Sequence, residues 1–347
     1  MRVEIPSFAK INIGLRIGAT RGDRFHELRT VYQTVALYDT VRLSLTRGSG
    51  IEIQCQNPQV PTDSTNTCFR TVSLGMRCLK ATGRVVIEIE KKLPVQGGLG
   101  GASANAVTAL IALERATGKQ LTPAAKLDIA AEVGSDLPLF LVGGTVLGVG
   151  RGEEVYPLPD LPAVSCVIAL PKIAVSTPKA FAEWDRLKQQ AHRGLETLEG
   201  PRGPQHQPRL KLTRSGASDK MLEFHHEIFA WLNAEPMRPR KSGVSACGGG
   251  RAENLLLDLV RTGIENDFEQ VVFPRYPEMS EVKCVLQDCG ASYASLSGSG
   301  SAIYGLFLSR AQARGAVTNL KQRGVEAVVT TTLPRSRYWK ELGSVGA

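Results

Sequence analysis

The chain has 347 residues, a net charge of +9, 42% hydrophobic and 22% charged residues. This length exceeds one ordinary domain and the balance is that of a globular protein, so two domains sharing a cleft are expected and a disordered chain is excluded. No apolar run is long enough for a membrane span, Met1–Pro6 lacks a signal-peptide core, and seven cysteines without a C-x-x-C pair point to free thiols in the cytoplasm rather than to disulfides or a metal knuckle.

Residues 2–17 alternate in hydropathy and read as two short strands with a bend near Ser7–Ala9. Lys10 and Asn12 then share one face, among the apolar neighbours Ala9, Ile11 and Ile13. Lys10 is a site candidate or simply the polar face of a core strand. The turn Arg21–Leu28 comes next and leads into a segment from Thr30 to Asp39. Its Phe25-His26 pair offers a flat ring on which a base can stack and an imidazole that can read the base's edge. A packed aromatic beside a surface histidine is the plain alternative. Residues 50–58 and 84–90 read as strands, and Asn66–Lys80 between them as a helix with Asn66 as its cap.

Pro94-Val-Gln-Gly-Gly-Leu-Gly-Gly-Ala-Ser-Ala104 is the most informative stretch. A strand precedes it and an Ala/Leu-rich helix succeeds it, so Gly97, Gly98, Gly100 and Gly101 bring several backbone N–H groups to the positive end of a helix dipole. Such a loop is an anion cradle. A side chain at Gly98 is expected to intrude on the space a phosphate needs. The P-loop pattern fails because Ala104-Asn105 stand where Lys-Ser/Thr is required, and the dinucleotide pattern fails because Ser103 stands at the third glycine. A tight glycine-rich connection without a ligand is the alternative.

Thr122-Pro123 to Gly134 carries a cap, a Pro at the first helical position and a terminal Gly, and reads as a helix. It delivers Ser135-Asp136-Leu-Pro138 into a loop, where Asp136 is either a functional carboxylate or another cap. Leu139–Gly148 reads as a strand, as does Val164–Leu170, which leads to Ser176-Thr177 and Phe181. Residues 186–214 hold seven basic against two acidic residues, with prolines and glycines at 200–208, and read as a flexible basic excursion. The chain resumes at Glu253-Asn254 and Asn266-Asp267-Phe-Glu269. A second glycine loop, Ser297-Gly298-Ser299-Gly300-Ser301, lies between two β-like segments. The positive charge suits anionic ligands and is otherwise read as solvated surface, with no nucleic-acid or membrane partner expected.

Three of these stretches together resemble the GHMP kinases. Pro94–Ser103 resembles their phosphate-binding motif, Gly134-Ser-Asp136-Leu-Pro138 their G-A-D-[VI]-P stretch, and Ser297–Gly300 their third motif. Within the superfamily, Ala9-Lys10-Ile-Asn12, Phe25-His26-Glu27-Leu and Val175-Ser176-Thr177 are most similar to the 4-diphosphocytidyl-2-C-methyl-D-erythritol kinase family. Phe8 and Phe25 depart from that pattern, replacing a proline and a tyrosine; Phe25 keeps the ring and loses the hydroxyl. The resemblance implies an α+β fold of two domains. Residues 1–162 would be a ribosomal protein S5 domain 2-like N-terminal domain, and 163–347 a ferredoxin-like C-terminal domain with a basic insertion near 186–250.

It further implies ATP-dependent phosphorylation of the 2-hydroxyl of a cytidine diphosphate-linked methylerythritol, in non-mevalonate isoprenoid biosynthesis, with Mg²⁺. Lys10 and Asp136 would be catalytic. ATP would lie on Asn66 and on Pro94, Val95, Gln96, Gly97, Gly98, Leu99, Gly100, Gly101, Ala102, Ser103 and Ala104, with the Ser103 hydroxyl near phosphate or Mg²⁺. Substrate would meet Asn12, Phe25, His26, Ser176, Thr177 and Phe181, and Ser297, Gly298, Ser299 and Gly300 would brace the phosphate site. No protein metal ligands are assigned. The expected assembly is a monomer or homodimer. A homoserine- or mevalonate-type kinase, or a silent nucleotide sensor on the same fold, are the rivals; the base-stacking pair argues against the first and retention of Lys10 and Asp136 against the second.

Overall fold

The computed structural model describes residues 1–198 and 264–343. The first sheet is built on a long antiparallel pair, β1 (Arg2–Thr20) and β2 (His26–Thr46). Strands β3 (Ile51–Cys55), β4 (Arg84–Glu90), β5 (Thr145–Val149) and β6 (Glu154–Pro157) extend it in the order β3-β4-β2-β5-β6, with β1 on β2. The second sheet has the order β10-β7-β9-β8, from β7 (Ser165–Leu170), β8 (Tyr293–Leu296), β9 (Ile303–Phe307) and β10 (Glu326–Thr331). No helix of the described residues is long and apolar enough to cross a membrane.

β1 is one continuous strand rather than two. The bend expected at Ser7–Ala9 is a register shift between Phe8 and Ala9 within the β1–β2 ladder. A bulge of this kind turns the strand without breaking it, and here it also changes the strand's neighbours. Ile5 and Phe8 lie in the core under the first sheet, whereas Ala9 and Ile11 pack with Cys166, Ile168 and Tyr304 of the second. Lys10 is therefore carried to the junction of the two halves.

Local sequence accounts for the helices of the first half. In α1 (Thr67–Leu79) the Asn66 side chain caps the first turn, accepting from the Cys68 amide at 2.8 Å. α2 (Gly101–Thr117) has small residues all round and is buried on nearly every face, as a central helix must be. Truncating its Leu110 or Leu113 would cost about 2–5 kcal/mol. α3 (Pro123–Val133) has the expected Thr122 cap and Pro123 start. Its terminal Gly134 is extended, at φ 178°, so no left-handed cap is present; a Cβ there would meet Leu137 Cδ1 at 3.0 Å.

Two further expectations change. Leu139–Gly148 is not one strand: α4 (Leu137–Phe140) and a turn precede β5, because Gly143 and Gly144 both take positive φ and reverse the chain. Of the basic excursion, residues 186–198 belong to α5 (Thr177–Leu198), an amphipathic helix that buries Ala180 and Trp184. The insertion beyond residue 198 and Glu253-Asn254 lie outside the described residues. The second sheet is covered by α6 (Glu269–Arg275), α7 (Pro277–Asp288) and α8 (Arg310–Gln322). The last helix, α9 (Arg335–Gly343), returns to the first half and places Tyr338 and Leu342 in its core.

Candidate active site

The glycine stretch becomes a loop with alternating positive φ, at Gln96 (59°), Gly98 (75°) and Gly100 (68°). Gly100 is the cap of α2 and no side chain caps that end. The loop opens on a cavity of about 420 Å³ lined by Pro94–Ser103, Asn66, Thr67 and Lys91. Ala104 lies beneath the loop in the core, its amide bonded to the Gly100 carbonyl. Asn66 lines the cavity too, but its amide is occupied: Oδ1 by Cys68 N and Nδ2 by the Pro61 carbonyl.

The loop is held from below by Asp39, which is fully buried. Its carboxylate accepts from Lys91 Nζ at 2.6 Å, Lys92 N at 2.7 Å, Leu93 N at 2.7 Å and Asn105 Nδ2 at 3.0 Å. One carboxylate thus fixes both the chain entering the loop and the first turns of α2. A buried acid is tolerable because four donors satisfy it.

From the second half, Ser297–Ser301 packs directly on this loop. Ser297 Oγ donates to the Gly98 carbonyl at 2.9 Å, and Ala302 N to that of Gly97 at 3.1 Å. Asn266 ties the second loop down by donating to the carbonyls of Leu296 and Gly298, each at 2.8 Å. Glu269 accepts from Leu296 N at 2.9 Å. This seam gives Gly98 a reason that the sequence does not show: a Cβ would stand 2.1 Å from the Ser297 carbonyl oxygen, so the glycine makes room for the second loop. Gly100 makes room for Lys10 and Phe140.

Lys10 emerges between the two loops. Its ammonium lies 3.4 Å from Asp136 Oδ2 and donates to Asn12 Oδ1 at 2.7 Å. Asn12 is fixed in turn by donating to Thr30 Oγ1 at 2.8 Å, and Thr30 donates to the Gly14 carbonyl at 2.7 Å. Asp136 precedes α4 but caps nothing; its other oxygen accepts from Tyr32 Oη at 3.1 Å. Burial, then the Asp136 charge, pushes the Tyr32 hydroxyl well above its usual range, so Tyr32 is a neutral donor. The lysine side chain is 4% exposed and the aspartate 35%, leaving the carboxylate open to a ligand.

That opening is a cleft of about 660 Å³ which also takes in Arg24, Phe25, His26, Arg151, Thr177 and Phe181. His26 and Phe181 are stacked on each other, with centroids 4.9 Å apart and planes at 3°. Phe268 meets Phe181 edge-on at 4.9 Å. Phe25 is exposed, with the Arg151 guanidinium 5.2 Å from its centroid. Thr177 Oγ1 is 2.7 Å from Ser299 Oγ, while Ser176 is exposed and its carbonyl accepts from Ala180 N.

Comparison with known proteins agrees with this geometry. The profile "GHMP kinases N terminal domain" matches residues 66–144 and "GHMP kinases C terminal" matches 252–326. The 4-diphosphocytidyl-2-C-methyl-D-erythritol kinase of Solibacter usitatus is 35% identical over 88% of this chain and 81% of its own. That of Acaryochloris marina is 35% identical over 90% and 89%. A crystal structure of 4-(cytidine 5'-diphospho)-2C-methyl-D-erythritol kinase superposes with a TM-score of 0.65 at 27% identity, covering 95% of this chain and 98% of that one. The chain belongs to this family of GHMP kinases. A homoserine kinase from Cytophaga hutchinsonii has a TM-score of 0.66 at 19% identity over 96% and 95% of the two chains, which is a likeness of fold alone.

As a GHMP kinase the chain is a phosphotransferase with the α+β fold of that family. Its motifs, scattered in sequence, converge on one junction: both glycine loops, Lys10, Asn12 and Asp136 meet there, and Phe25, His26 and Phe181 line the same cleft. Sequence reasoning missed Tyr32, Asp39, Asn266, Glu269 and Arg151. None carries a local signal: Tyr32, Asp39, Asn266 and Glu269 hold partners distant in the chain, and Arg151, paired locally with Glu153, meets Phe25 only across the fold.

Proposed function

We propose that this kinase uses ATP to phosphorylate the 2-hydroxyl of 4-diphosphocytidyl-2-C-methyl-D-erythritol. One observation carries the reading: a single cleft holds the Lys10–Asp136 pair at one end and an aromatic, histidine-bearing end at the other, with Arg24 and Arg151 in its walls. A substrate with a base, a diphosphate and an alcohol suits that order of groups. In this reading residues 1–162, with α9 returned to them, form the N-terminal domain, and residues 163–347 supply the remainder. The described cysteines are free, which supports a cytoplasmic enzyme, acting as a monomer or homodimer.

ATP phosphates lie against the amides of Gly97–Ser103, where the helix dipole of α2 adds positive potential. Asp136 takes the proton of the substrate hydroxyl, and Tyr32 holds the carboxylate in place. Lys10, gripped by Asn12, faces the transferring phosphoryl group and stabilises its charge. Among the described residues no cluster of three or more His, Cys, Asp or Glu side chains could hold a metal. Mg²⁺ takes few protein ligands when it arrives on nucleotide phosphates, and the Ser103 hydroxyl at the glycine-loop cavity is a side-chain oxygen that fits it. When bound, the ion neutralises phosphate charge.

ADP release in the presence of the cytidine diphosphate-linked polyol, with homoserine and mevalonate as competing acceptors, tests the proposal. Turnover dependent on the cytidine substrate alone is expected. Turnover with homoserine or mevalonate, or with none of the three, would refute it.

A further inference from the structure

Asp136 caps no helix, and its carboxylate has two side-chain contacts: the Lys10 ammonium at Oδ2 and the Tyr32 hydroxyl at Oδ1. An ammonium is a point charge and tolerates a turn of the carboxylate. A phenol on a rigid ring holds its oxygen at one place, so the orientation of Asp136 depends on where the Tyr32 ring lies. That ring is 2% exposed, sits opposite Val146 of β5 and borders the cleft. Burial first, then the Asp136 charge and its hydrogen bond, and last the Glu153 charge keep its hydroxyl protonated and donating.

The hairpin of β5 and β6 closes on this ring through two glycines. A Cβ on Gly148 would fall 2.5 Å from Tyr32 Cε2. A Cβ on Gly152 would fall 2.5 Å from the Tyr32 hydroxyl oxygen, yet an ordinary 3.7 Å from ring carbon Cζ. The turn between the strands is itself pinned. Gly152 N donates to the Val149 carbonyl at 2.9 Å, Leu28 N to that of Gly150 at 2.6 Å, and Glu153 accepts from Arg151 N at 2.6 Å. Building on the reaction proposed above, in which Asp136 takes the substrate proton, we propose that the β5–β6 turn is a positioning device for that carboxylate. Gly152 leaves room for the Tyr32 oxygen, and Tyr32 fixes Oδ1 so that the remaining lone pairs of the carboxylate serve the substrate hydroxyl. Tyr32 and Gly152 are positioning residues that act along one line, from turn to phenol to carboxylate.

The test is a double-mutant cycle of Tyr32→Phe and Gly152→Ala, read as kcat, the KM for ATP and for the cytidine substrate, and Tm. Tyr32→Phe removes one oxygen and should lower kcat about 10- to 100-fold with both KM values near those of the parent. Gly152→Ala displaces the same oxygen and should lower kcat comparably. In the Tyr32→Phe background the added methyl no longer meets an oxygen, so Gly152→Ala should cost no further kcat there. Its positive φ of 102° is strained in both backgrounds, which separates strain, seen in Tm, from positioning. A Tyr32→Phe kcat within about twofold of the parent overturns the proposal, and this single variant decides if Gly152→Ala does not fold. A raised KM for the cytidine substrate at unchanged kcat also overturns it, making Tyr32 only a cleft wall. So do fully additive kcat losses, which would leave Gly152 a backbone role alone. Each of these refutes this inference only; a parent that does not turn over the cytidine substrate refutes the function on which it rests as well.

Discussion

Gly97–Ser103 and Ser297–Ser301 are both short runs of glycine and serine, and they meet along a single seam, yet their backbones are used in different ways. The first opens a long helix at an uncapped end and leaves amides for a ligand. The second joins two strands and spends its groups internally and on its neighbours: Gly300 N on Ser297 O, Ser297 N on Ala302 O, Ser297 Oγ on Gly98 O. A glycine loop becomes an anion site when it leads into a helix N-terminus. Leading into a strand, the same composition makes a brace. Lys10 lies against both, packing beside Gly100 and standing 3.6 Å from where a Cβ of Gly298 would fall.

The sharpest test removes the chemistry and leaves both loops intact. Asp136→Asn should lower kcat about 10²–10⁴-fold with little change in ATP affinity; a kcat near that of the parent would separate the base from this carboxylate. Next, the support of the first loop can be cut. Asp39→Ala leaves the Lys91 ammonium buried and unpaired and should cost about 3–5 kcal/mol, read from denaturant unfolding with ATP affinity alongside.

Substitutions at matching glycines then contrast the two loops directly. Gly98→Ala drives a Cβ into the Ser297 carbonyl at a positive φ. Strain and overpacking together should cost roughly 2–6 kcal/mol. The loss should appear as a lower Tm without nucleotide; a normal Tm with weak ATP binding would mean that the seam is not what Gly98 serves. Gly298→Ala is the mildest. Its nearest neighbour, Asn12 Oδ1, would be at an ordinary 3.4 Å, so only the positive φ of 58° is penalised, by about 1–2 kcal/mol. A Gly298→Ala loss equal to that of Gly98→Ala would erase the distinction between the loops.

Much of this molecule is determined by the sequence over short distances. Asn66 and Thr122 cap their helices, Pro123 starts one, and the 94–104 stretch forms a loop at a helix start, because caps, φ preferences and amide exposure are set within a few residues. The motifs also single out the residues proposed to react, since Lys10 and Asp136 sit in recognisable local strings. Where a neighbour's volume or a distant partner decides, the sequence is silent or misleads. Gly98 is a glycine because of a carbonyl 199 residues away, Tyr32 grips Asp136 across 104, and Asp39 meets residues 91–93 and 105 only when β2 and β4 pair. The meeting of His26 with Phe181 and Asp185 exists only because α5, from the second half, is laid across the hairpin of the first. Such contacts arise from the packing of whole sheets and helices around shared cores, and no span of a few residues holds that information.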